Sequence, residues 1–410
     1  MPLALGPRLW TAVIAAAALV TMPAAAHAHE PPGAETTPAR TDVRRLFHLT
    51  IEGDLDSAAL ASDINRAVGS ARQDGADMIL LDVSGTNWRA DVLLAIGQSL
   101  TVEPRLPLLV MLSTRSGTEI GAGQAWLCLL ADAAYIDRGA VVQISGMQEL
   151  STLSPPGMNR ERTVDDLRTL AWPRLTARAA PTLLTAVVPA PAAPMWTAPS
   201  GEGGSDGWLH LLTSAPEPSE AGAVPLLTAD PTTPGAWRGM ISADTARRIG
   251  LVSGHARAPG EVFAERHLRV LRTDARRVVS RLPDARRRLA GDLPALDAAL
   301  AGADGVMDSA ERQARSAGGG QISAARTAAS RQLLALDPLE RRLSTLEALT
   351  AEFPELLRAS PPGKTPVSLS PARLSAAWRD CFQDRRDQIA RLRARAQAVL
   401  AAPDRSAPPR

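Results

Sequence analysis

Two runs of apolar residues constrain this chain more than any other feature: Met78-Ile79-Leu80-Leu81-Asp82-Val83 and Leu106-Pro107-Leu108-Leu109-Val110-Met111-Leu112. Neither alternates with polar residues, so each reads as a strand buried on both faces. That pattern belongs to a parallel sheet covered by crossover helices. The segments between them fit. Leu46 to Ile51 alternates as a strand and stops at Gly53, and residues 57–73 put Leu60, Ile64, Ala67, Val68 and Ala71 on one helical face before Gly75. Ser84-Gly85-Thr86-Asn87 turns into a helix over Asp91 to Leu100, and a glycine-containing turn leads to a helix over Gln124–Ala131 and a short strand at Ala134 to Ile136. A β-α-β-α-β-α-β rhythm predicts an α/β fold with right-handed crossovers.

Beyond residue 150 the pattern weakens. Residues 181–236 are rich in proline and carry Gly201, Gly203, Gly204 and Gly207, which predicts loop or insertion. Order returns at 239–252, where Ser242 suits the N-cap of a short helix that Gly250 ends. From 261 to 402 alanine, arginine, leucine and aspartate dominate. Three stripes appear there: Leu268, Leu271, Val278 and Leu282; Leu336, Leu339, Leu343, Leu346 and Leu349; Ile389, Leu392, Ala396 and Val399. The expectation is a separate all-helical domain, a coiled coil or small bundle, in which the second stripe buries against its neighbours or a second subunit.

The balance of 45 basic and 43 acidic residues, a net charge of +2, argues against a nucleic-acid binder. Two cysteines exclude a disulfide scaffold and a cysteine-rich zinc site, so no metal or other cofactor is expected; a Cys128–Cys381 bridge is the one pairing available. At the amino terminus Arg8, the apolar run Leu9 to Val20 and the ending Ala26-His27-Ala28 read as a signal peptide over 1–28, followed by a polar linker over 29–43. The chain is therefore expected to be exported, to the periplasm or another extracytoplasmic space. Residues Arg266 to Arg288 hold nine arginines against Asp274 and Asp284. They read as a solvated face, or as a surface for anionic lipid or an acidic partner.

Residues 44–260 resemble the Clp protease/crotonase superfamily, and most closely its NfeD-type serine protease branch. The resemblance rests on the order of Ile51-Glu52-Gly53, Gly75-Ala76-Asp77, Asp82-Val83-Ser84-Gly85-Thr86, Ile120-Gly121-Ala122-Gly123 and Ala131-Asp132, with Val187-Val188-Pro189 and Ile241–Val252 as later pieces. It implies a Clp/crotonase-like core of repeated β-β-α and βαβ units. It also implies a serine nucleophile at the turn that opens the third helix, oxyanion donors in the turn after the second strand, and a lysine base. This chain departs at each point. The nucleophile position is Gly121 or Ala122, the family's Gly-Gly oxyanion pair reads Gly85-Thr86, and the base region offers Arg160 and Arg162, which stay protonated.

The chain has one lysine, Lys364, in the helical region, and after His48 the next histidines are His210, His255 and His267. Ser113 and Ser116 lie just before the vestigial turn and read as turn residues, or as displaced nucleophiles lacking a base. Asp82 reads as a turn-capping residue, Trp88 and Trp126 as core packing or as walls of an apolar peptide groove. An acyl-CoA activity of the crotonase kind conflicts with export. The expected function is that of an exported, inactive serine-protease-like protein that acts by binding a protein partner or by self-association. The alternative is an active NfeD-like endopeptidase with a displaced nucleophile.

Overall fold

The structure, a computed structural model, describes residues 41–115, 117–144, 160–177, 183, 195–199, 209–212, 223–229, 237–316, 319–358, 360–361 and 371–402. The expected signal peptide, Val187-Val188-Pro189, Ser116 and Lys364 lie outside them. The first half of the chain runs β1 (Thr41–Glu52), α1 (Ala58–Gln73), β2 (Met78–Val83), α2 (Ala90–Thr101), β3 (Leu108–Leu112), β4 (Glu119–Ile120), α3 (Ala122–Leu130), β5 (Ala133–Ile136) and β6 (Val141–Ile144). Then come α4 (Arg160–Ala177), β7 (Met195–Pro199), β8 (Leu209–Leu212), β9 (Val224–Ala229) and β10 (Trp237–Ser242). The last part holds α5 (Ala243–Arg248), β11 (Gly254–His255), α6 (Pro259–Glu265), β12 (Leu268–Val279), α7 (Leu282–Arg315), α8 (Gly319–Glu352) and α9 (Pro371–Ala401).

Six strands form a sheet in the order β11-β5-β3-β2-β1-β12. Every neighbouring pair in it is parallel. The apolar runs therefore form its centre, as the absence of alternation required. One face packs Leu49, Ile51, Ile79, Leu81, Val83, Val110 and Leu112 against α1, α2 and α3. The other carries a smaller cluster of Leu46, Leu80, Leu109, Met111 and Tyr135 closed by Val262 of α6. The Ser57 hydroxyl accepts the Leu60 N–H at the start of α1, and Ser242 accepts the Thr245 N–H at the start of α5, so both helices begin where a cap stands.

The 181–236 stretch is not only loop. It supplies β7, β8 and β9 of a second sheet, ordered β4-β6-β10-β9-β7-β8. Met195, Leu226 and Leu227 bury there, and two of its prolines, Pro199 and Pro225, stand at or near strand ends. The stripe Leu268, Leu271, Val278 is corrected more sharply. It is not helical but lies in β12, which pairs with β1 from Thr41↔Leu268 to Glu52↔Val279. The three- and seven-residue spacings mimic a helix, but Val270, Thr273, Val278 and Val279 are β-branched and suit a pleated edge. The helical region thus begins at Leu282, with Pro283 in its first turn.

Three long helices follow. On α7, Leu289, Leu293, Leu296, Leu300, Ala303 and Met307 recur at three and four, and on α8 Leu336, Leu343 and Leu346 recur at seven and three, with Phe353 just past its end. With Trp378, Ile389, Leu392, Ala396 and Val399 of α9 they form one core. Cross-helix ion pairs set the directions. Arg342 meets Asp292 at 2.6 Å, Arg385 meets Asp297 at 2.7 Å, and Arg393 meets Asp337 at 3.0 Å. Arg386 also pairs with Glu347, which with the pair of Arg393 and Asp337 makes α8 antiparallel to α9. Arg395 meets Glu311 at 2.6 Å, which with the pair of Arg385 and Asp297 makes α7 parallel to α9. The stripe on α8 is thus covered by its own chain. No disulfide forms: Cys128 is buried in the sheet core and Cys381 in the helical core. No helix among the described residues is long and apolar enough to cross a membrane.

Candidate functional site

In a parallel sheet the turns after the strands' carboxyl ends are where a site is built. Here Gly85, after β2, has φ +117°, and a Cβ on it would come 2.3 Å from the Gly53 carbonyl oxygen. Only glycine lets the ends of β1 and β2 approach so closely. The loop after β1 then reaches over the turn. One oxygen of the Asp54 carboxylate accepts the backbone N–H of Thr86 at 3.2 Å and of Asn87 at 2.9 Å, and the other accepts the Asn87 side-chain amide at 2.8 Å. Of the expected oxyanion pair Gly85-Thr86, the Thr86 N–H is thus held by Asp54.

The second wall is the start of α3. The Gly121 N–H donates to the Gly85 carbonyl at 3.0 Å, and a Cβ on Gly121 would fall 1.9 Å from the Thr86 carbonyl oxygen. Ala122 is fully buried. The buried Gln124 amide donates to the Asn87 carbonyl at 3.2 Å. Trp88 packs on Gly123 so closely that a Cβ there would meet its ring at 2.3 Å. Trp88 is 6 % exposed and Trp126 1 %, so both are packing residues and no apolar groove opens between them. Turn and helix start are in backbone contact.

Ser113 follows β3, is buried, and its hydroxyl has no hydrogen-bond partner. The nearest described histidine on the sheet is His255 on β11, with β5 in between and in register with Leu112 through Ile136. Two strand spacings put it about 10 Å away, beyond direct proton transfer. His48 on β1 stands 3.6 Å from the Asp82 carboxylate and 3.4 Å from the Thr50 hydroxyl. Asp82 lies within β2 rather than capping a turn; it is fully buried and 2.7 Å from the Arg115 guanidinium, as an ion pair rather than an aligned hydrogen bond. His255 stands beside Asp244 at 3.2 Å, and His267 is exposed. Arg162 is exposed on α4, while the side chains of Arg160 and His210 fall outside the described ones.

Sequence reasoning missed the groups that close this region. Besides Asp54 they are Arg89, Asp56 and Glu355. The Arg89 guanidinium is buried, donates to the Asp56 carbonyl at 3.1 Å and to Asp91 at 3.0 Å, and forms an ion pair with buried Glu355. Glu355, from the 3₁₀ turn Pro354–Arg358 after α8, also accepts the Ala58 N–H at 3.2 Å. The helical region is thus fastened to the loop that fastens the turn. Burial, reinforced by the neighbouring Asp54 charge, pushes the Asp56 carboxyl up to about 6. A run of Gly53-Asp54-Leu55-Asp56 was the available signal: two acids directly after a strand have to be answered by donors.

No family model matches the chain, and no curated protein matches it. Among solved structures it is similar to a membrane protease specific for a stomatin homolog from Pyrococcus horikoshii, at 11% identity over 58% of this chain and 93% of that one, with a TM-score of 0.33. A mutant of a membrane-bound stomatin-specific protease gives 11% identity over 58% and 99%, with a TM-score of 0.34. A ClpP1 mutant from Listeria monocytogenes gives 10% over 52% and 92%, with a TM-score of 0.30. Scores of this size carry nothing about activity, substrate or partner.

Proposed function

We propose that this chain is an exported protein of Clp/crotonase-like descent that has no peptidase activity and works by binding a protein partner. The observation that carries this is the occupation of the Thr86 and Asn87 amides by Asp54, in a turn packed backbone to backbone on Gly121. Acyl transfer needs a nucleophile, a base and free donors aimed at the developing oxyanion. At this turn Gly121 or Ala122 stands in place of the first, and of the last the Thr86 amide is in use. The sequence order of the glycine turns supports the descent, as does the all-parallel sheet with its turn set against α3. The run Leu9 to Val20 before Ala26-His27-Ala28 supports export.

The partnerless hydroxyl of Ser113 favours one second reading, a peptidase with a displaced nucleophile. Turnover of unfolded casein by residues 29–410 separates the two. Our reading expects none above a buffer blank. Cleavage abolished by Ser113→Ala would establish the second reading.

A further inference from the structure

The outermost strand of the parallel sheet, β12, is 12 residues long, and among the described residues no strand pairs with its outer edge. A strand this long left open is a template for another chain unless something guards it. Its guard is charge. Arg269, Arg272, Arg276 and Arg277 face one acid on the strand, Asp274. Arg272 pairs with Asp274 and Arg277 with Glu52, while Arg269 and Arg276 have no carboxylate partner among the described residues. Against a second copy of itself the strand would bring arginine near arginine. An acidic strand would meet no such penalty.

The two faces of β12 differ as well. Leu271 and Val279, 58 % and 44 % exposed, share one face with Arg269 and Arg277, while Arg272, Asp274 and Arg276 lie on the other. A strand that adds alongside would therefore find two arginines on whichever face its acidic residues take, and can carry β-branched apolar residues on the other. Because this segment is a strand, its arginines do not form the basic face of an amphipathic helix, which is the geometry that lies on a lipid surface.

We propose that β12 is a docking edge for an extended acidic segment of a protein partner, which adds to the sheet as a further strand through backbone hydrogen bonds. This rests on the partner-binding reading above and gives that partner a chemistry.

The test uses residues 29–410 and a fluorescent peptide of alternating glutamate and valine, about ten residues long to match a full strand. Anisotropy should report saturable binding. Binding should weaken at least about tenfold with Arg269→Glu combined with Arg276→Glu. A lysine–valine peptide should not bind, nor should the glutamate–valine peptide N-methylated at alternate residues, which keeps its charge but loses donors. Absence of binding overturns the proposal. So does equal binding of the N-methylated peptide, which would mean charge attraction alone. Arginine-dependent binding to phosphatidylserine vesicles without peptide binding overturns it in favour of a lipid surface. Should the double variant misfold, the N-methylated peptide still decides on the unaltered protein. Casein turnover is read separately, so failure here is distinct from failure of the non-peptidase reading.

Discussion

A β-carbon placed on Gly121 sits 1.9 Å from the Thr86 carbonyl oxygen, so Gly121→Ser must force two backbone segments apart. We expect that change to cost at least ~3 kcal/mol in urea unfolding, where Ala122→Ser costs about 1–2 kcal/mol for a buried hydroxyl. Neither should yield casein hydrolysis, because a hydroxyl does not free the amides held by Asp54. Asp54→Ala should destabilise by about 2 kcal/mol through three lost hydrogen bonds to a charged acceptor. Asp56 brings a pH dependence. Burial pushes its folded-state carboxyl up to about 6 from the ordinary 3.8, so the stability it contributes is fully present below about pH 4 and is lost as pH rises through 6. Asp56→Asn removes that loss. The variant should match the parent near pH 4 and exceed it by ~2–3 kcal/mol at pH 8, read from urea midpoints.

At the scale of elements, the ion pair of Arg89 with Glu355 holds the 3₁₀ turn after α8 to the loop before α1. Both side chains are nearly inaccessible, at 4 % and 2 %. Glu355→Ala leaves the buried Arg89 only Asp91 and the Asp56 carbonyl, so it should cost about 2 kcal/mol, while Arg89→Met with Glu355→Met should recover part of it. A double-mutant cycle in urea checks both. The elements also separate what sequence reveals from what it hides. The capped helix over 58–73 and the runs at 78–83 and 108–112 are local patterns, and they stand where their residues place them. β12 is hidden because its partner, β1, lies more than two hundred residues earlier, and Leu268, Leu271 and Val278 imitate a helical period. The turn after β2 and the start of α3 are legible in Gly85, Thr86, Gly121 and Ala122. That Asp54 occupies the turn's amides is not, because nothing local says which donors an acid will meet.

Across the whole molecule, β12 moves the limit of the sheet-bearing part from about residue 260 to Ser280, whose N–H donates to the Glu52 carbonyl at 3.0 Å. A chain ending at Gly260 uncovers the full length of β1 and should aggregate, while one ending at Leu282 should stay soluble with a single unfolding transition; light scattering and thermal unfolding compare them. The three-helix core of α7, α8 and α9 closes on itself, so its leucine stripes do not call for a second subunit. What remains for partners is the surface, and of that surface the open edge is the most chemically defined.

The central claim is that the turn over Gly121 does no acyl chemistry, and it is tested most directly by treating residues 29–410 with a fluorophosphonate and recording the intact mass. The account predicts an unshifted mass, since among the described residues no serine at this turn stands within reach of a base, and Asp54 holds the Thr86 amide. A mass increase of one phosphonyl group, mapped to Ser113, Ser116 or any other serine, would contradict it.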